Sequence, residues 1–279
     1  MKADWETPQG RAAALEGFAG QGGSRLAIAH MYHQWTDEFP SPTQVAFQSA
    51  GRLQLISWSG TDTRSVTSGV YDQLIRARAE AIRDYGHPVL LRWRWEMDRP
   101  NLAAKIHSPA DYVAAWKHIR AIFAATGTRN AGFVWCPHVQ GFVDSKRQGA
   151  AYYPGDDQVD WLCADAYSEE GFAGFGEQMD AFMAFARTRP RPVLVGEFGV
   201  TGDGTDAQRA AWLREVREYV KRQPQIKGLV YFSEKMARPP HYDTTLAAGS
   251  QAAAAWRELA TDPHFGAPPP TAGASPPAG

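Results

Sequence analysis

The sequence predicts an α/β fold, a parallel (β/α)8 TIM barrel whose first strand is truncated or shortened. Seven apolar or aromatic runs with strand character alternate with helical patterns along the 279 residues. Polar and aromatic residues gather at the ends of these runs, as they do at the carboxyl-terminal rim of such a barrel. No glycine-rich phosphate-binding loop follows any predicted strand, which argues against a doubly wound open sheet.

The predicted strands begin near residues 25, 53, 88, 130, 159, 192 and 226. Helical spacing and end signals predict helices over residues 9–20, 68–85, 108–127, 175–187, 206–222 and 250–259. The third of these starts with a Ser cap, a Pro in first position and an Asp in the first turn, at residues 108–111. A closed barrel of eight strands needs one more, which would precede the first helix and be absent or reduced to residues 1–5. We expect one domain over residues 1–265.

Composition narrows the functional classes. The chain has 29 Lys and Arg against 30 Asp and Glu and no basic tract, so nothing supports nucleic-acid binding. No apolar run approaches the roughly 18 to 20 residues that span a membrane. The ten Trp residues are unusual. We expect about half of them to fill the core and the others to stack on flat, weakly polar ligands such as sugar rings.

The two cysteines and the chain ends carry weaker signals. Cys136 and Cys163 both fall in predicted strands and could be neighbours, but we expect two buried free thiols. No signal peptide follows Met1, so the protein is cytoplasmic or the chain begins inside a longer precursor. Residues 266–279 are rich in Pro, Ala and Gly and are predicted to form a disordered tail or linker. Such linkers favour export, so we expect the native precursor to be extracellular.

Two strands end in a carboxylate. Residues 88–98 form an apolar and aromatic run that leads into Glu96, and residues 191–200 form a second run that leads into Glu197. An unpaired carboxylate costs several kcal/mol or more to bury, so each Glu is either salt-bridged, for example to Arg92 or Arg94, or catalytic. If the first strand is missing, the two residues end strands four and seven, which lie across the barrel mouth.

A facing pair of carboxylates suits glycoside hydrolysis. A separation of about 5 to 5.5 Å supports a retaining mechanism, and a wider one supports inversion. The acid needs desolvation, which Trp95 and Met97 could supply to Glu96. The nucleophile needs to stay ionised, and a donor such as Tyr167 near Glu197 would serve it.

The chain resembles the family-26 glycoside hydrolases, which include β-mannanases, β-glucanases and xylanases, over roughly residues 23–235. The resemblance is carried by Arg92 with Glu96-Met97, by the Tyr-Pro-Gly-Asp and Val-Asp-Trp segment of residues 152–167, and by Gly196-Glu197-Phe198-Gly199. It implies a retaining (β/α)8 glycosidase, with Glu96 as acid/base and Glu197 as nucleophile. Tyr167 matches the tyrosine that hydrogen-bonds the nucleophile.

The resemblance also implies that rim aromatics form sugar subsites on a β-linked polysaccharide, β-mannan or β-glucan foremost. The candidate substrate-binding residues are His33, Trp35, Trp58, Trp95, His138 and Tyr167. Arg92 is expected to orient the acidic site from beneath. The chain departs from the family beside the acid/base, where Trp95 replaces the usual His and Asp98-Arg99-Pro100-Asn101 replaces Asn-Gly, so the substrate stays open.

Three alternatives stay open. A metal-dependent hydrolase would need a His-x-His pair on the first strand, whereas His30 and His33 have the wrong spacing. A catalytically inactive carbohydrate-binding barrel is a second alternative. Glu234 is a competing carboxylate, which we expect to pair with Lys235 or Arg238. We expect a monomer that uses no metal or organic cofactor and binds neither nucleic acid nor membranes.

Overall fold

The computed structural model describes residues 7–144, 146–168, 171–236 and 243–265. The described residues contain seven strands: β1 Ile28–His33, β2 Leu53–Trp58, β3 Val89–Trp93, β4 Ala131–Trp135, β5 Trp161–Tyr167, β6 Val193–Gly199 and β7 Ile226–Tyr231. They follow one another in chain order in a single sheet, and the neighbouring pairs β1–β2, β2–β3, β3–β4, β4–β5 and β6–β7 are parallel. All seven predicted strands are therefore confirmed. The predicted remnant of a first strand, residues 1–5, lies outside the described residues.

Ten α-helices accompany these strands within the described ranges: α1 Pro8–Gly22, α2 Pro42–Ser49, α3 Thr63–Thr67, α4 Asp72–Tyr85, α5 Ala103–Ile106, α6 Pro109–Ala125, α7 Gln140–Val143, α8 Phe175–Ala186, α9 Asp206–Lys221 and α10 Gln251–Ala260. Side-chain caps fix several starts: Ser108 accepts from the backbone N of Asp111 at the start of α6, and Thr205 forms a capping box with Gln208 at the start of α9. None of the helices in the described ranges is long and apolar enough to cross a membrane.

The prediction of one helix over residues 68–85 is wrong at its start. Ser68 closes α3, Gly69 takes a left-handed backbone with φ of 83°, and α4 begins only at Asp72. A residue without a Cβ adopts this conformation at little cost, so the glycine separates two helices.

The described residues divide into two compact units, one comprising residues 7–26 and 163–265 and the other residues 27–162. In the unit of residues 27–162, Trp116 and Phe123 of α6 pack edge-on against Phe133 of β4, with ring centroids 5.8 and 5.1 Å away. In the other unit, Phe18 of α1 stacks on Trp256 of α10 at 4.9 Å. The predicted single domain over residues 1–265 stays a prediction, and the predicted tail, residues 266–279, lies outside the described residues.

The tryptophans and cysteines correct two expectations. Eight of the nine described Trp residues are buried, and only Trp95 keeps partial exposure, so far more than half of them fill the core. The expected free thiols are also wrong, because Cys136 and Cys163 are both disulfide-bonded. Each cysteine is the residue that follows a registered pair of the β4–β5 ladder, Trp135 with Leu162. Neither cysteine can therefore offer a thiolate to a metal ion in this state.

Candidate active site

Glu96 lies in a tight turn that follows β3. The strand ends at Trp93, three residues earlier than the sequence suggested, so Glu96 does not close the strand itself. Arg94 and Glu96 both have left-handed backbones, with φ of 47° and 52°. Each such residue costs about 1–2 kcal/mol when it is not glycine. Two hydrogen bonds hold the turn, from Arg94 N to Trp58 O at 3.0 Å and from Glu96 N to Cys136 O at 2.7 Å.

The Glu96 carboxylate is buried and contacts a cation. Glu96 is 6% exposed. The Arg99 Nη1 donates to Oε2 of Glu96 at 2.6 Å in an ion pair three residues apart. The salt-bridge partner is therefore Arg99, not the Arg92 or Arg94 that the sequence suggested. A guanidinium at this distance stabilises the ionised carboxylate.

His138 lies on the other side of this carboxylate. Its Nε2 is 3.9 Å from Oε1 of Glu96, and its Nδ1 accepts from the backbone N of Gln140 at 3.1 Å. Because Nδ1 is an acceptor, the proton of the neutral ring is on Nε2, facing Glu96. The sequence predicted His138 as a sugar contact; its ring is buried beside the candidate acid.

Asp98 holds the backbone of His138. Its Oδ1 accepts from His138 N at 3.0 Å, and the Arg147 Nη1 is 4.0 Å from its Oδ2. Burial raises the pKa of Asp98, and the hydrogen bond from His138 opposes this shift only in part. Gly141 packs so close that an added Cβ would be 2.6 Å from Oδ2. Asp98 is therefore a positioning residue under His138.

Arg92 is fully buried. Its Nε donates to Ser57 Oγ at 2.7 Å and its Nη2 is 3.3 Å from His30 Nε2. Its guanidinium carbon also lies 5.2 Å from the centre of the Trp95 ring, within the range of a cation–π contact. Burial and the Arg92 charge lower the pKa of His30 well below its usual value. Arg92 thus supports the Trp95 ring from inside, while its expected role of orienting the acidic site stays a prediction.

Trp35 and Trp58 lie in the interior. Their rings stack at 4.3 Å with an angle of 8°, and Trp58 Nε1 donates to Trp35 O at 2.9 Å. Trp58 is 0% exposed, which contradicts the expectation that its ring contacts sugar, and Trp35 is also buried. His33 is buried as well, with its ring 5.2 Å from that of Phe39. Of the predicted aromatic platforms in residues 27–144, only Trp95 keeps an accessible ring.

Trp95 and Glu96 line a cavity of about 290 Å³ in the unit of residues 27–162. Its wall is formed by Ser59, Gly60, Arg94, Trp95, Glu96, Arg99, Asn101 and Leu102. The candidate acid thus opens onto a space that contains an aromatic ring and two guanidinium groups.

Glu197 lies on β6 in the other unit, within a strand whose seven residues are all buried. Glu197 is 6% exposed, and the Tyr167 hydroxyl donates to its Oε2 at 2.6 Å. The predicted contact between these two side chains is confirmed. Tyr167 ends β5, and its backbone O accepts from Gln178 Nε2 at 2.8 Å.

The Tyr167 ring has a tightly shaped seat. An added Cβ on Gly199 would be 3.1 Å from Tyr167 Cε1 and 2.9 Å from Thr244 Cγ2, so the missing side chain makes room for the ring. Phe232 packs edge-on against Tyr167, with centroids 6.0 Å apart. The hydroxyl is therefore held on the Glu197 carboxylate by packing as well as by its hydrogen bond.

Comparison with known proteins places these features in a family. The profile of the family described as "Glycosyl hydrolase catalytic core" matches residues 96–259. This match spans more than half of the chain, and it begins at Glu96 and includes Glu197. The chain belongs to this glycosyl hydrolase family. It therefore carries a glycosidase catalytic core.

Relatives of this glycosyl hydrolase are longer proteins. It is 25% identical over 275 residues to endoglucanase H of Acetivibrio thermocellus, a match that covers 91% of this chain and 29% of that protein. It is 24% identical over 148 residues to the β-1,3-xylanase TXYA of a Vibrio species, covering 51% of this chain and 30% of that one. The chain thus spans about a third of the length of these relatives.

Solved structures show the fold. A family-26 β-mannanase from Bacteroides ovatus superposes with a TM-score of 0.63 at 15% identity, covering 88% of this chain and 82% of that one. The family-26 domain of an endo-β-mannanase/endo-β-glucanase from Prevotella bryantii gives 0.64 at 13% identity, covering 90% and 85%. The resemblance to family 26 and the predicted α/β-barrel fold class of this glycosyl hydrolase are confirmed.

The roles of three residues around the candidate site were not predicted. Arg99 contacts Glu96, Asp98 contacts His138, and Arg94 lines the cavity. All three lie within five residues of one another in the turn after β3, where the chain departs from the family pattern. The charge of this short segment was the available signal, but the direction of each side chain depends on the left-handed backbone, which the sequence does not reveal.

Proposed function

We propose that the chain is an endo-acting, retaining β-glycoside hydrolase in which Glu96 is the acid/base and Glu197 the nucleophile. The observation that carries the proposal is the 2.6 Å hydrogen bond from Tyr167 to Glu197 in a chain of this family. A donor at this distance holds one carboxylate oxygen still, which leaves the other oxygen to react.

In the first step, one Glu197 oxygen forms a bond to the anomeric carbon while the bond from that carbon to the leaving oxygen breaks. Glu96 gives its proton to the leaving oxygen, and the reducing-end part of the polymer departs as an alcohol. In the second step, water attacks the same carbon, Glu96 takes a proton from that water, and the bond to Glu197 breaks. The anomeric configuration is retained.

The surroundings of Glu96 suit a residue that changes protonation state. The Arg99 guanidinium contacts the form of Glu96 that acts as base in the second step. The Arg99 side chain is 39% exposed, so it can move away from the carboxylate. The Nε2 of His138 lies 3.9 Å from Oε1 of Glu96, beyond hydrogen-bond distance, with its proton facing the carboxylate. Arg99 is thus expected to leave the carboxylate when Glu96 is protonated for the first step.

The substrate is proposed to be a β-linked polysaccharide, with β-mannan or β-glucan foremost. The names of the related proteins, an endoglucanase, a β-1,3-xylanase and β-mannanases, support a β-glycan backbone as the substrate class. Trp95 is the proposed stacking platform, because its ring is partly exposed in the cavity beside Glu96.

Location and assembly are further proposals. The Pro-rich composition of residues 266–279 supports export of the native precursor, and nothing in the sequence favours a partner other than the glycan. We propose a secreted monomer. The monomer is tested by size-exclusion chromatography with light scattering on the purified chain. A dimer mass at micromolar concentration would contradict it.

The test combines polymer hydrolysis with chemical rescue. Reducing-sugar release is measured on β-mannan, mixed-linkage β-glucan, β-1,3-xylan, β-1,4-xylan and cellulose for wild type, Glu96→Ala and Glu197→Ala. Glu234→Ala is the matched control, since Glu234 is an exposed carboxylate after β7 whose backbone N donates to Thr244 Oγ1. We expect both site variants to lose at least about a thousandfold in kcat/KM and the control to keep wild-type activity.

Azide then separates the two roles. On an aryl glycoside with a good leaving group, Glu96→Ala should still form the glycosyl-enzyme, and azide should release a β-glycosyl azide. Glu197→Ala should give the α-glycosyl azide, because azide then takes the place of the nucleophile. Hydrolysis that survives in Glu197→Ala would refute the mechanism. A folded wild-type chain that binds glycans but cleaves none would favour the inactive carbohydrate-binding barrel.

A further inference from the structure

Arg94 is a buried cation in the wall of the cavity beside Glu96. It is 9% exposed, and its Nη2 donates to the backbone O of Thr61 at 3.3 Å. Within the described part of the chain, its Nε has no hydrogen-bond partner. A buried guanidinium with one long hydrogen bond to a neutral oxygen is poorly satisfied, since this group has five N–H donors.

The charge of Arg94 also lacks a carboxylate partner among the described residues. Asp62 and Tyr112 are the groups that act on it through space, and both effects are smaller than that of burial, which lowers the pKa of Arg94. Asp62 is engaged elsewhere, with His107 Nε2 at 2.6 Å and Ser65 N at 2.9 Å. Buried charges in proteins are normally paired, so an unpaired one in a cavity wall points to an absent anion.

The charges of the cavity wall have the matching sign. Arg94 and Arg99 contribute two positive charges and Glu96 one negative charge, so the wall carries a net charge of +1 when Glu96 is ionised. It carries +2 when Glu96 is protonated, the state proposed for the first step. Positive charge in a concave, partly dry site concentrates anions.

The fold makes room for this guanidinium. An added Cβ on Gly60 would be 2.7 Å from Arg94 Cδ and 2.8 Å from Arg94 Nε. The Arg94 side chain therefore lies directly over Gly60 and needs a glycine there. The left-handed backbone of Arg94, with φ of 47°, directs the side chain to this place. Strained backbone of this kind persists where the surrounding structure enforces it, and it clusters at ligand-binding sites.

We propose that this cavity binds a β-linked sugar unit that bears a negative charge, with Arg94 as the anion-binding group and Trp95 as the stacking platform. The anion is a carboxylate, as in a uronic acid, or a sulfate ester. The proposal deepens the proposed function, since it names the substrate class of the same site. Its binding part does not require that hydrolysis occur. Bidentate recognition of a carboxylate or sulfate suits the planar fork of an arginine.

The test measures binding by calorimetry to the full chain carrying Glu197→Gln, which prevents turnover. Four β-linked tetrasaccharides are compared: one with a single glucuronate unit, its methyl ester, the neutral parent, and the parent with one 6-O-sulfate. We expect the glucuronate or the sulfated ligand to bind about ten- to a hundredfold more tightly than the ester and the parent. Raising NaCl from 50 to 500 mM should shrink this preference.

Variants then assign the anion to Arg94. Arg94→Met should abolish the preference, Arg94→Lys should keep part of it, and Gly60→Ala should reduce it by displacing the side chain. Arg83→Met is the matched control, because Arg83 is an exposed arginine of α4 paired with Asp84, and it should bind all four ligands as wild type does. Thermal melting establishes that each variant is folded.

Each outcome is decisive. Equal binding of the charged ligands, the ester and the parent overturns the proposal without any variant, so a misfolded Arg94→Met protein does not protect it. A preference that survives in folded Arg94→Met overturns the assignment to Arg94. The glucuronate and sulfate arms identify which anion is bound. A preference for the anion with no hydrolysis of any glycan by wild type would refute the proposed function alone, whereas hydrolysis of neutral glycans without the preference would refute this inference alone.

Discussion

Replacement of Tyr167 by Phe is the sharpest test of the Glu197 half-site. The substitution removes one hydroxyl, which donates to Glu197 Oε2 at 2.6 Å, and keeps the ring. Gly199 and Phe232 shape the seat of that ring, with Tyr167 Cε1 only 3.1 Å from where a Cβ on Gly199 would lie. The change therefore isolates one hydrogen bond from the packing around it.

The expected magnitude follows from the kind of bond that is lost. A hydrogen bond to a charged group contributes about 1.5–3 kcal/mol, and the short distance at a buried carboxylate places this one in that class. At about 1.4 kcal/mol for each factor of ten, kcat/KM should fall roughly 10- to 150-fold if the hydroxyl positions the nucleophile in the transition state. Unfolding should become easier by about 1–3 kcal/mol, since a buried carboxylate loses a donor.

The assay is kcat/KM on the polymer that wild type cleaves best, together with urea unfolding. Tyr219→Phe is the matched control, because the Tyr219 hydroxyl donates to Asp180 Oδ1 at 2.7 Å between α9 and α8, in the same unit but away from the strand ends. The control should lose comparable or smaller stability and stay within about twofold of wild-type kcat/KM. If Tyr167→Phe lowers kcat/KM no more than Tyr219→Phe, the hydroxyl has no part in positioning Glu197 and the reasoning is refuted.

Three further predictions concern stability and packing. His30→Gln should make stability less sensitive to acid. Burial holds the pKa of His30 in the folded protein low, so wild type loses stability as pH falls below about 6.5, by up to about 1.4 kcal/mol per pH unit. Urea melts from pH 7 to 5 should show the variant losing less stability than wild type. Asp98→Asn should have the opposite pH dependence. Burial raises the pKa of Asp98 in the folded protein, so wild type loses stability as pH rises above about 4. The stability of the variant relative to wild type should therefore improve from pH 4 to 7. Gly199→Ala should cost about 1–3 kcal/mol and lower kcat/KM, because its Cβ would meet Thr244 Cγ2 at 2.9 Å, whereas Gly20→Ala in α1, which meets nothing within 4 Å, should be neutral or stabilising in the same melts. Equal slopes with pH for wild type and either charge variant, or a silent Gly199→Ala, would contradict these assignments.

The sequence predicted the regular elements well because each carries a local signal. The Ser-Pro-x-Asp start at Ser108 became the cap of α6, and the buried runs became parallel strands. The helix α2 was missed although Ser41 and Gln44 form a capping box there, since its eight residues are too few for a clear periodic stripe.

The failures concern features that are set by tertiary structure. Trp58 is an aromatic residue at a strand end, as a sugar platform would be, yet its ring packs against Trp35 in the core. The position of a residue at a strand end does not determine whether its side chain points to the core or to the rim. The offset of Glu96 beyond β3 depends on two left-handed residues that no local propensity favours. The ion pair with Arg99 follows from that turn, and so it could not be read from the spacing of the charges alone.

The two carboxylates differ in a way that matches their proposed tasks. Glu197 sits within a strand buried along its whole length, and the Tyr167 hydroxyl donates to one of its oxygens, so its position is fixed. Glu96 sits on a strained turn outside the strand, between an exposed arginine that can leave and a histidine whose proton faces it. A nucleophile gains from rigidity, since small displacements from the attacking geometry are costly. An acid that must become a base within one turnover gains from neighbours that can exchange, because no single fixed environment favours both of its protonation states.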